Sequence, residues 1–350
     1  MPMVWEVRGD VLVTLVAGRS SGSSPGQRFC MSEGETIDSG HRNSLWSRAL
    51  LLVLAISIQA CGAESSATWT TSSPVRPSLF EPGVISTEMR EYGITFSPDA
   101  REAYFTRRAR GGQAQIFVSY FRGGLWSEPV RWLFSGVHDE APHVSSDGAS
   151  MVFVSRRPMP ESGDRSDNIW ISERTEAGWG IPTPLSGAVN RPRLDQEDFG
   201  SGMEMGPSML PDGSILFWSR ADPDWGADIY RSQVGPDGTY GHPTALTLNS
   251  TGDESNAVLV PGGNFLIFQA YRDATAPGNQ DLYVSRRNSF GWDAAVHLPA
   301  PFNSAFNDGY PSFSPDGSTF FFASDRRGAS GYYDIWYVDA SSLNLDALTR

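Results

Sequence analysis

Five acidic residues recur at one offset in this chain: Glu91, Asp139, Glu204, Glu254 and Asp308 each stand eight residues ahead of the Asp or Gly at the centre of a polar turn. Carboxylates brought together can hold a hard cation such as calcium, act as a catalytic acid and base, or neutralise the protein's own cations. Arginines follow them in register, at Arg107, Arg108, Arg156, Arg157, Arg220, Arg272, Arg326 and Arg327. Five unpartnered carboxylates would repel one another, so guanidinium–carboxylate pairs that lock a ring are the expected use. A calcium or polar-ligand site at a channel mouth is the alternative. Around Asp139 the chain reads His138-Asp139-Glu140-Ala141-Pro142-His143. That stretch has one residue too many for a helical HExxH zinc motif and its Pro blocks a helix, so the two histidines are not expected to share a metal.

Other chemistry is narrowed by composition. All 27 basic residues are Arg, which removes Schiff-base lysines and the phosphate-loop lysine. A net charge of −13 with no basic stripe argues against a nucleic-acid partner. Gly18-Arg19-Ser20-Ser21-Gly22 matches GxSxG in form only, since no strand or helix pattern surrounds it. No nucleophile–base set stands out. Most of the 11 Trp fall at repeated strand positions and read as core, leaving Trp225, in Asp222-Pro223-Asp224-Trp225-Gly226, as the candidate ligand-stacking aromatic.

The elements that must position these residues repeat as well. Turns at Ser97-Pro98-Asp99-Ala100, Ser145-Ser146-Asp147-Gly148, Leu210-Pro211-Asp212-Gly213, Val260-Pro261-Gly262-Gly263 and Ser314-Pro315-Asp316-Gly317 lie 48, 65, 50 and 54 residues apart. Each sits inside the same succession of short strands, in the first copy 93–97, 103–106, 115–119 and 126–133. The third strand repeats a polar residue, Ile or Leu, and an aromatic, as in Asn168-Ile169-Trp170 and Asp334-Ile335-Trp336. Four copies open the fourth strand on an aromatic, Trp126, Trp179, Tyr240 and Trp292, and three follow it with Pro129, Pro182 and Pro243, as suits an outer edge strand. Small four-stranded sheets with two apolar faces must stack on their neighbours, and radial closure buries every face.

The expected fold is therefore all-β, a five-bladed β-propeller of four-stranded antiparallel blades over about 76–345. Its turns, aromatic second strands and Asp-Ile-aromatic third strands resemble the TolB-type, WD-like propeller repeat of bacterial envelope proteins, a resemblance that says little about ligand. The segment 76–83, Arg-Pro-Ser-Leu-Phe-Glu-Pro-Gly, is similar to the fourth strands and should complete the fifth blade, whose own candidate at 343–348 is weak.

Ahead of the propeller, the apolar run 49–58 is too short to span a bilayer and resembles the core of an export signal. It leads into Gln59-Ala60-Cys61, which resembles a lipobox and implies lipidation at Cys61. Residues 1–30 fit no such signal and read as a mis-assigned start. Cys30 lies among them, so the propeller is expected to use no thiol chemistry. The Ser/Thr-rich 62–75 reads as a tether. The expected location is the periplasmic face of an outer membrane, or the cell surface, with membrane contact only through the lipid.

The function expected is a non-catalytic binding or scaffold module whose partner is an envelope protein or a glycan, with no cofactor beyond the calcium alternative. A polysaccharide-active lyase or glycosidase is the second class, and no hydrolase domain is expected beyond the last blade. Recognition is expected on the carboxylate rim, where the long loops and the insertion at 187–203 lie, rather than on the turn rim.

Overall fold

A computed structural model of the chain describes residues 75–191, 203–220, 226–272, 280–326 and 332–349. The segments carrying Cys30, Cys61 and the apolar run 49–58, and the residues Trp225 and Arg327, lie outside them.

Five antiparallel sheets follow one another along the chain. Blade one comprises Arg90–Phe96, Glu102–Arg108 and Ala114–Arg122, with an outer strand in two pieces, Leu125–Trp126 and Val130–Arg131. Blade two repeats this with Asp139–Val144, Ser150–Ser155, Asn168–Thr175, Gly178–Trp179 and Thr183–Pro184. Blade three has Glu204–Met209, Ile215–Ser219, Asp228–Ser232 and Thr244–Ala245. Blade four has Asp253–Leu259, Phe265–Tyr271, Asp281–Asn288, Gly291–Trp292 and Val296–His297. Blade five supplies Asp308–Phe313, Thr319–Ser324 and Asp334–Asp339.

The inner strand of each blade touches those of both neighbours, and the fifth touches the first, so the strands close into a ring. Closure is made by the N-terminal side of the propeller. Ser78–Leu79 pairs with the third strand of blade five, Ser78 opposite Tyr337 and Leu79 opposite Trp336, and takes the outer position. Phe80 then packs among Phe96, Trp126, Phe321 and Tyr337, from blades one and five. The C-terminal segment expected as a strand is instead a 3-10 turn, Ala340–Leu343, and a helical turn, Leu345–Leu348. Asp339 caps the first through Ser341, and Leu343 and Leu345 drop into the core.

Five apolar clusters sit between neighbouring blades. Successive residues of a strand face opposite ways, so one strand serves two clusters. In blade three Ile215 and Phe217 face blade two, and Leu216 faces blade four. Burying such side chains contributes about 1.5–3 kcal/mol each, which makes these interfaces the main hold between blades.

Two features depart from an uninterrupted ladder. Outer strands break after the aromatic, and in four blades a buried Ser of the third strand donates its hydroxyl to a carbonyl at the break: Ser119 to Ser127, Ser172 to Gly180, Ser232 to Gly241 and Ser285 to Asp293. All five inner strands carry a bulge at one place, two residues beyond the acidic position. Gly93, Ala141, Gly206, Asn256 and Tyr310 hold positive φ there, between 48° and 61°. A side chain at Gly206 would strike Asn256 and Trp218, so only Gly fits that copy. Two bulges are held from the neighbouring blade, Ala141 N–H donating to Thr106 Oγ1 (2.9 Å) and Tyr310 N–H to Gln269 Oε1 (3.0 Å).

Candidate functional site

The inner strands place Glu91, Asp139, Glu204, Glu254 and Asp308 at one rim, each fully buried. Four have a guanidinium in contact: Arg107 on Glu91 (2.8 Å), Arg157 on Asp139 (2.7 Å), Arg272 on Glu254 (2.7 Å) and Arg326 on Asp308 (2.6 Å). These guanidiniums also reach carbonyls of the segment that enters the blade: Val84 and Ile85, Phe134, Leu248, and Pro301 and Phe302. From the other side the carboxylates accept from Thr87, Gly136, Ser250 and Ser304. Each carboxylate thus ties together two strands of its blade and the incoming chain.

Three of the expected partners are elsewhere. Arg108 donates to Gly112 O, Arg156 pairs with Asp167 and Arg220 with Asp253. The two-residue period of a strand explains it. Ser155, Ala270 and Ser324 lie directly opposite their carboxylates, and Arg157, Arg272 and Arg326 stand two residues on, on the same face. Arg107 is itself opposite Glu91, so Arg108 turns away. Arg156 and Arg220 stand one residue past the opposing serine and also turn away.

Blade three is the exception in the ring. The Arg191 guanidinium, ahead of the inner strand, forms an ion pair with Glu204 at 3.6 Å and hydrogen-bonds Ser219 Oγ, while the Arg191 backbone N–H donates to Glu204 Oε2 at 3.4 Å. Among the described residues Oε1 of Glu204 has no hydrogen-bond partner. Burial, only partly offset by Arg191, pushes this carboxyl up to about 8. Burial also raises Glu91, against its bonds from Thr87 and Arg107. Nor does the ring gather a cation site: among the described residues the one cluster with metal-ligand spacing is His138, Glu140 and Asp167.

That cluster borders blades one and two. Tyr92 O–H donates to Glu140 Oε2 (2.5 Å), and its ring lies 4.6 Å from that of Tyr310 in blade five. Burial foremost, with the nearby Glu140 charge, raises the Tyr92 hydroxyl well above its usual range. His143 is not part of the cluster. Its Nδ1 accepts from Met209 N–H in blade three (3.2 Å), and burial pushes the imidazole down to about 4.

A cavity of about 1110 Å³ opens on the turn rim. Inner-strand ends and turns of all five blades line it, from Thr95 and Phe96 round to Ser312–Pro315. It extends outward between blades three and four past Arg231, His242, Arg287, Phe290 and Trp292. Besides the short turns, the hairpins joining the third and outer strands of blades three and four reach this rim and wall the cavity. The signal of this wall in the sequence was the Phe290-Gly291-Trp292 tip. Residues 192–202, 221–225, 273–279 and 327–331, Trp225 among them, lie outside the described residues.

No protein-family model matches the sequence, and no curated protein matches it. The fold is similar, at low identity, to solved TolB-type propellers. With TolB from Acinetobacter baumannii the identity is 18% and the TM-score 0.46, over 72% of this chain and 55% of that one. The chain thus spans little more than half of that TolB. A GH43 endo-arabinanase from Bacillus licheniformis gives 10% identity and 0.45, over 73% of this chain and 95% of the other. A periplasmic gluconolactonase from Pseudomonas aeruginosa gives 15% and 0.40, over 70% of each. What this chain shares with such structures is the β-propeller.

Proposed function

We propose that the protein is a non-catalytic binding or scaffold propeller of the bacterial cell envelope, exported by the 49–58 segment and anchored through lipid on Cys61. Its ligand is an envelope protein or a glycan, taken up at the turn rim. The observation that carries the reading is the cavity of about 1110 Å³, walled by strands of all five blades. A pocket of that size on so rigid a ring suits recognition. Its polar groups are poorly placed for catalysis. Ser145 and Ser314 give their hydroxyl protons to the turn residues Asp147 and Asp316, and His143 spends its one lone pair on Met209 N–H. Phe290, 91% exposed, and Arg287, stacked over Trp292, offer an apolar and a cationic contact at the edge.

The test is a panel of acidic and neutral glycans with solubilised envelope extract, read for both binding and turnover. Binding without new reducing ends or unsaturated products is expected. Turnover of any glycan by the wild-type protein, lost on substitution in the cavity, would replace this reading with a polysaccharide-active enzyme.

A further inference from the structure

We propose that His138, Glu140 and Asp167 form a site for a divalent transition-metal ion, zinc being the first candidate. The three side chains are 6%, 7% and 4% exposed, and one ligand atom from each lies within 4.8 Å of the others. The decisive group is the imidazole. His138 Nδ1 stands 3.2 Å from Gln113 Oε1, which can only accept, so Nδ1 carries a proton and Nε2 is left to face either a second proton or a cation. Nε2 is 3.3 Å from Glu140 Oε1, an ion-pair contact if the ring is charged, but no well-aligned hydrogen bond joins them. With the ring neutral, two buried acceptors this close call for a cation between them. Tetrahedral zinc, with bonds of about 2.0–2.1 Å, spaces its ligand atoms by roughly 3.3 Å, the separation of His138 Nε2 and Glu140 Oε1, and the Asp167 oxygen lies within 4.8 Å of both.

The surroundings match as well. Each candidate ligand is oriented by an outer partner: His138 by Gln113, Glu140 by Tyr92 (2.5 Å), and Asp167 by Arg156 through two bonds (2.8 and 3.0 Å). Metal ligands are commonly held this way. Two carboxylates and one guanidinium leave one negative charge around a neutral imidazole, which favours a dication. One nitrogen and two oxygens suit zinc, manganese or nickel better than calcium, which prefers six or more oxygens. Three protein ligands also leave a coordination position for water or a bound molecule. The spacing of His138 and His143 hides this site, because the third ligand is Asp167, just ahead of another strand.

The competing account is a protonated His138 in an ion network, and the experiment separates the two. Tag-free full chain is stripped with chelator and titrated calorimetrically with Zn²⁺, Mn²⁺, Ni²⁺ and Ca²⁺, with melting followed in parallel. One equivalent of zinc is expected, with a higher Tm, and no response to calcium. His138→Gln and Asp167→Asn should each weaken zinc at least 100-fold, while His242→Gln, at an exposed position, leaves the stoichiometry at one. The wild-type protein alone gives a second readout, independent of how the variants fold: added Co²⁺ should give the visible absorption of a tetrahedral site. Absence of zinc uptake, uptake unchanged in His138→Gln, or no cobalt spectrum would each overturn the proposal.

Discussion

Replacing Glu204 by Gln should stabilise the protein at alkaline pH, the opposite of what the same change at Glu254 should do. Glu204 is fully buried, and the pull of Arg191 at 3.6 Å only partly offsets that burial, so its carboxyl is pushed from 4.5 up to about 8. A raised carboxyl means that the folded state holds the proton more tightly than the unfolded state does. Stability is then complete below about pH 4.5, falls as pH rises to about 8, and is level beyond. At 1.36 kcal/mol per pH unit the loss across this window is on the order of 4–5 kcal/mol. Gln cannot ionise and should abolish it. Urea unfolding at pH 4.5, 6, 7.5 and 9 should therefore show near-equal stability for Glu204→Gln and wild type at pH 4.5, and a variant several kcal/mol ahead at pH 9. In the same series Glu254→Gln should lose about 1.5–3 kcal/mol at neutral pH and above, because Glu254 accepts from Ser250 and Arg272 as a carboxylate. A Glu204→Gln profile parallel to wild type from pH 5 to 8 would refute the argument.

Further outcomes follow from the same geometry. Arg157→Ala leaves Asp139 buried beside a lost partner and should cost about 3–5 kcal/mol in chemical denaturation, whereas Arg108→Ala, which breaks a bond to Gly112 O, should cost less than about 1.5 kcal/mol. Removing residues 76–83 strips the outer strand from blade five, and hydrogen exchange of Asp334–Asp339 should accelerate more than that of Asn168–Thr175. Phe290→Ala should leave the melting temperature within about 2 °C of wild type, since an exposed side chain contributes under about 0.5 kcal/mol.

The blades were legible because each turn is written in local chemistry: Asp99, Asp147 and Asp316 accept from the serine two residues before and from the backbone two residues after, and these bonds depend on no distant residue. Ring closure was legible for a related reason, since 76–83 repeats a fourth strand. The bulge was not. Its left-handed residue is Gly, Ala, Asn or Tyr in different copies, and the bonds that hold it come from the next blade, as with Thr106 and Gln269. The ring partners were half legible: recurrence marks the arginines, but choosing between Arg156 and Arg157 needs the register of the strand. Asn249-Ser250 and Asn303-Ser304 stand at one offset ahead of their carboxylates, a signal that could have shown how the incoming chain is pinned. The Asn bridges the third strand's backbone and the Ser caps the acid.

The most direct test of the central claim is to compare ligand capture by wild type, by Phe290→Ala with Arg287→Ala on the turn rim, and by Arg220→Ala on the carboxylate rim, weighing the captured ligand before and after contact. The account predicts that wild type and Arg220→Ala retain the ligand, that the turn-rim variant releases it at least tenfold faster, and that its mass is unchanged. A ligand that stays on the turn-rim variant, or leaves the wild-type protein cleaved, would contradict it.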